Sequence, residues 1–108
     1  MRRGTTPTNT FTTDVNLTGA TVFVDYEQRG NIILEKTGAD LDITVVETQT
    51  GTTSTIELEL SQEDTLSFKP GEVLIQIRAV YPDGTAIASN IIRTTAERII
   101  KDGVIHAV

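Results

Sequence analysis

The chain contains no cysteine and no tryptophan, a single histidine and a single methionine, and only five aromatic side chains in 108 residues. Without thiols there are no disulfides, no thiolate nucleophile and no Cys-ligated zinc. The one imidazole, His106, has no second histidine to share a metal and no serine set as a nucleophile beside it. Ser54, Ser61, Ser67 and Ser89 all lack the glycine-flanked elbow that exposes a catalytic hydroxyl. No apolar run approaches the roughly 20 residues of a membrane-spanning helix. Arg2 and Arg3 are not followed by an apolar stretch, so the start reads as neither a Sec nor a twin-arginine signal. Basic residues are scarce as well: nine against fifteen acids, for a net charge of −6. A nucleic-acid partner normally needs a cationic stripe to replace phosphate counterions, and none is visible in this sequence.

What the chain has in quantity is Thr (19), Ile (12) and Val (9), more than a third of its residues. β-Branched side chains are stiff at χ1 and fit a pleated surface better than a helix, so the composition favours strands. Alternation is the dominant pattern. Val22, Val24 and Tyr26 share one face of residues 20–28, and Arg29-Gly30-Asn31 turns that strand into Ile32–Lys36. Leu41, Ile43 and Val45 alternate next, followed by a polar loop at Gln49–Thr53 around Gly51. Ile56, Leu58 and Leu60 then alternate with Glu57 and Glu59, the pattern of a half-buried strand with a charged outer face. Ser61 with Asp64 three residues on forms a capping box for one helical turn, with Leu66 and Phe68 plugging the core below it. Residues 72–81 give the longest alternation, and Tyr81-Pro82-Asp83-Gly84 is a turn. In the returning strand, 85–95, the apolar phase changes between Ile87/Ser89/Ile91 and Ile92/Thr94, which predicts a bulge near Ser89-Asn90.

About seven short strands at spacings near ten residues predict an all-β antiparallel sandwich of immunoglobulin-like type, with a small partly open barrel as the alternative. The expected core is Val22, Val24, Leu34, Ile43, Ile56, Leu58, Leu60, Leu66, Ile75 and Ile77. The expected division is an N-terminal arm at 1–10, a sandwich at 11–95 and a C-terminal arm or short helix at 96–108.

Asp40-x-Asp42 is too sparse for calcium, which takes six to eight oxygens, and Glu57 and Glu59, with Thr, Ser and further acids around them, lack the apolar pocket that a glycosidase acid needs. No glycine-rich phosphate loop occurs. The sequence therefore predicts no catalytic residues, no metal and no cofactor. Phe11, Phe23, Tyr26, Phe68 and Tyr81 are dispersed, a poor supply for stacking sugars, so a stand-alone cell-surface or carbohydrate-binding module ranks second among the functional readings.

The arms carry the remaining information. Residues 1–10 are Thr-rich, and residues 99–108 hold several apolar side chains at a terminus, where polar residues are the rule. The expected assembly contacts are Arg2, Arg3, Thr5, Pro7, Ile99, Ile100, Val104 and Ile105, with Ile99, Ile100 and Ile105 either folding back on their own sandwich or packing on a neighbour. Three stretches, Arg2–Thr8, Leu60–Leu66 and Gly84–Thr94 continuing to Lys101–Ile105, together resemble small structural proteins encoded in the tail gene clusters of phages and prophages of Gram-positive gut bacteria. The acidic turn, long strand, Asp-Gly turn and Ser-Asn strand are also similar to the N-terminal sandwich of phage baseplate upper proteins. The resemblance implies a non-enzymatic virion subunit made in the host cytoplasm, in the tail or baseplate, or alternatively a head decoration or head–tail joining protein. Its implied partners are other virion proteins and copies of itself.

Overall fold

The computed structural model describes residues 1–107; Val108, the last residue of the expected C-terminal arm, lies outside the described residues. Eight strands form two antiparallel sheets: β1 (Thr8–Thr13), β2 (Thr21–Gln28), β3 (Asn31–Thr37), β4 (Asp42–Thr48), β5 (Gly51–Glu59), β6 (Gly71–Val80), β7 (Ala86–Ala88) and β8 (Ile92–Ala96). One sheet has the order β1-β5-β4 and the other β3-β2-β6-β7, with β8 also on β6. In immunoglobulin terms these are the B-E-D and C′-C-F-G sheets, so the all-β sandwich expected from the alternations is the fold observed. No helix is long and apolar enough to cross a membrane among the described residues.

The eighth strand arises from the predicted bulge. β7 and β8 are one returning strand interrupted after Ala88, both pairing with β6. At the break, Ile77 N–H donates to the Ser89 hydroxyl (3.0 Å) and Ser89 N–H to the Ile77 carbonyl (2.8 Å), so serine fills the gap in the ladder.

Several local expectations shift. The β2–β3 loop is the two residues Arg29-Gly30, both at positive φ (54° and 82°), and Asn31 already pairs with Gln28. Two positive φ values give the turn the twist the flanking strands need, which moves the turn one residue earlier than a Gly-Asn corner. The polar loop at 49–53 shrinks to Gln49-Thr50, because Gly51 pairs with Thr48 and the β5 ladder starts there. No helix forms at 96–107: Ala96 closes β8, and residues 97–107 have no regular secondary structure.

The core lies between the sheets. Val24, Tyr26, Leu58, Leu60, Phe68, Val73, Ile75 and Ala96 make one cluster; Leu17, Val22, Ile56 and Ala79 make a second. Of the expected core, Leu34, Ile43, Leu66 and Ile77 are only half-buried. Leu34 and Ile43 sit on the edge strands β3 and β4, and Ile77 borders an open groove. Leu66 yields the core to Thr65 and Phe68, since a single helical turn can aim few side chains inward.

Three buried polar side chains pin the loops that cross between sheets. Ser54 Oγ donates to the Val15 carbonyl (2.7 Å) and accepts from Leu17 N–H (3.2 Å). The Gln28 amide donates to the Lys69 carbonyl (2.7 Å) and accepts from Lys69 N–H (2.8 Å). Thr65 Oγ1 donates to the Thr5 carbonyl (2.8 Å).

Candidate assembly surfaces

The helical end is built by the capping box the sequence announced. α1 (Gln62–Leu66) starts at Ser61, whose Oγ accepts from Asp64 N–H while the Asp64 carboxylate accepts from Ser61 N–H, both at 3.0 Å. Lys36 lies 3.0 Å from the same carboxylate. Burial opposes ionisation of Asp64, but the Ser61 amide and the Lys36 ammonium outweigh it and hold the carboxyl below the usual carboxylate range. Beneath them, Tyr26 packs its ring on Phe68 with centroids 5.8 Å apart, and its hydroxyl accepts from the Asn9 amide (2.6 Å). Burial pushes the Tyr26 hydroxyl up to about 12, against the smaller opposing effect of Asn9.

The N-terminal residues belong to this end of the molecule. Residues 8–10 are the first half of β1, paired with β5. Pro7, which has no N–H, sits just before the strand, and its carbonyl accepts from Leu60 N–H (2.9 Å). Residues 1–3 run parallel to 95–97: the Met1 ammonium donates to the Thr95 carbonyl, Glu97 N–H to the Met1 carbonyl and Arg3 N–H to the Glu97 carbonyl. Arg2 pairs with Glu97 at 2.9 Å. Arg3 is nearly buried, its guanidinium donating to the Phe68 and Leu66 carbonyls and to Asp102 (2.6 Å). It thereby caps the last carbonyl of α1, that of Leu66, with positive charge. Thr5 Oγ1 donates to the Arg2 carbonyl. Arg2, Arg3, Thr5 and Pro7 are thus used within the chain rather than extended from it.

The C-terminal candidates divide. Ile99 folds back, with its Cδ1 3.0 Å from the point a Cβ on Gly4 would occupy; Gly4, at φ +75°, gives that contact room. The side chains of Ile100 and Ile105 stay in solvent, 97% and 75% exposed, with Val104 also exposed. Backbone contact in this segment comes from Gln62, whose amide donates to the Ile105 carbonyl (3.0 Å) and accepts from Ile105 N–H (2.8 Å).

A second surface lies between the unpaired edges of β1 and β7. It is a groove of about 510 Å³ walled by Phe11, Leu17, Ile56, Ile77, Ala79 and Ile87 and rimmed by Thr10, Thr12, Ser89 and Asn90, with no charged side chain in its lining. Sequence reasoning misses it, because it is made by the absence of a neighbour: the immunoglobulin sheet has a strand A beside B, and no strand occupies that place next to β1 among the described residues. The register of Pro7 on Leu60 turns the main-chain groups of Asn9, Phe11 and Thr13 toward β5, so those of Thr10 and Thr12 face outward.

The acidic candidates lie near one another: Asp42 and Glu57 are cross-strand partners, and both line one open pocket with Asp40 and Glu59. Asp40 accepts from Thr37 N–H (3.3 Å) at the 3₁₀ turn, and Asp42, Glu57 and Glu59 lie exposed on the outer face of their sheet. No group of three or more His, Cys, Asp or Glu side chains is placed to hold a metal ion among the described residues. His106 is exposed on the tail. No family model and no curated protein matches the chain.

Proposed function

We propose that the protein is a non-catalytic structural subunit of a phage particle, in the tail or baseplate, working as one of many associated copies. One observation carries the assembly part of this reading: Ile100, Val104 and Ile105 are displayed to solvent on a chain whose other end is tied down by hydrogen bonds. Exposed apolar side chains grouped on one segment mark an interaction surface, because covering them removes apolar area from water. The virion part rests on the resemblance of Arg2–Thr8, Leu60–Leu66 and Gly84–Ile105 to phage tail-cluster proteins. A sugar-binding role has less support, since Tyr26 and Phe68 are buried and Phe11, Phe23 and Tyr81 are half-buried, which leaves no stacking platform.

The test is a chain ending at Ile99, which keeps β1, the Arg2 contacts and the Ile99 packing. It is expected to fold and to be missing from purified particles, as read by mass spectrometry of separated heads and tails. Particles that take up the truncated chain normally overturn the role of the tail. A full chain found in no particle fraction overturns the virion role.

A further inference from the structure

The groove and the tail are two features left uncovered, and they suit each other. The groove offers an unpaired sheet edge, with the N–H and C=O groups of Thr10 and Thr12 outward beside an uncharged apolar trough. The tail has no regular secondary structure and lies outside any ladder. In strand geometry Gly103, Ile105 and Ala107 fall on one face, a large side chain between two small ones. Such a strand can lay Ile105 into the trough while its backbone pairs with β1, the mode called β-augmentation.

Within one chain the tail is parked elsewhere, on Gln62 beside the helical end, and the Arg3–Asp102 pair fixes its root there. We propose that the occupant of the groove is the C-terminal segment of a second copy, running antiparallel to β1 in the place of the missing strand A. Gln62 is then a latch that competes with the neighbour for the backbone of Ile105. Because the tail and the groove are different surfaces, each copy donates to one neighbour and accepts from another. This inference rests on the assembly reading above and specifies its contact.

The absence of cysteine makes the test clean, since single-cysteine variants introduce the only thiols. The Thr12→Cys and His106→Cys full-length chains are mixed under mild oxidation. A disulfide-linked heterodimer is expected, in excess over a control mixture of Glu35→Cys with His106→Cys, because Glu35 is exposed on β3, outside the groove. Adding Ile105→Asp to the tail variant should abolish the excess without lowering its melting temperature. Adding Gln62→Ala, which removes two hydrogen bonds from the parked state, should raise the yield about tenfold. No heterodimer above control overturns the proposal. So does a Thr12→Cys/His106→Cys double variant that closes only on itself at high concentration. Normal uptake of Ile105→Asp into particles removes this contact but leaves the virion role standing. A heterodimer from a protein absent from particles removes the virion role but leaves the contact standing.

Discussion

The helical end and the groove side of this sandwich are built by opposite rules. At the helical end, the apolar cluster around Phe68 is surrounded by polar groups with partners: Gln28 on Lys69, Thr65 on Thr5, Arg3 on two carbonyls and an acid, Asp64 on Ser61 and Lys36. On the groove side, β1 and β7 leave main-chain edges unpaired and an apolar trough between them. One end resists change because many directional contacts must break together. The other has spare capacity for bonds that the single chain does not make.

Truncations break this comparison most directly. Phe68→Ala, at a fully buried ring, should cost about 3–5 kcal/mol in urea unfolding, because a cavity opens where nothing can collapse into it. Alkaline pH is the next largest perturbation. Tyr26 titrates near 12 in the folded chain and near 10 when unfolded, so its contribution is complete below pH 10 and is lost as pH rises toward 12. That loss amounts to about 3 kcal/mol, and Tyr26→Phe should remove this part of the pH dependence in the window. Arg3→Met should cost about 2 kcal/mol by orphaning the Leu66 and Phe68 carbonyls, with Arg3→Lys recovering part of it. Asp64 works at the acid end: its lowered pKa stabilises the fold above the unfolded value near 4, and that gain disappears as pH falls through the folded value. Lys36→Met should flatten this acid limb of the stability curve. On the groove side, Ile87→Ala should change the stability of the isolated chain by less than about 1 kcal/mol, since its side chain is already 37% exposed. A large loss there would show that the groove is covered in the isolated chain.

Much of the sandwich was legible because alternation reports directly which face of a strand is buried. The runs through Val22, Ile56 and Val73 identified the central strands, and the phase change near Ser89 identified the bulge. The buried polar pins were written in the same code: Gln28 is in phase with Val24 and Tyr26, and Ser54 with Ile56 and Leu58. A polar residue in core phase signals a loop to be held, but its partner, such as Lys69 for Gln28, is far along the chain. In the sequence Arg3 looks like part of an arm for the same reason: its acceptors, Leu66, Phe68 and Asp102, lie 63 or more residues away. The groove had no signal at all, since it depends on which strand is not beside β1.

The parallel pairing of residues 1–3 with 95–97 also has a mechanical meaning. A pull on residue 1 and an opposite pull beyond residue 97 load this patch along the strand direction. The bonds from Met1 to Thr95, Glu97 to Met1 and Arg3 to Glu97 are then strained together rather than peeled one at a time. Resistance to such a pull is set by the rate of crossing that barrier rather than by equilibrium stability. A tension applied through the two ends therefore meets a clamp before it reaches the core.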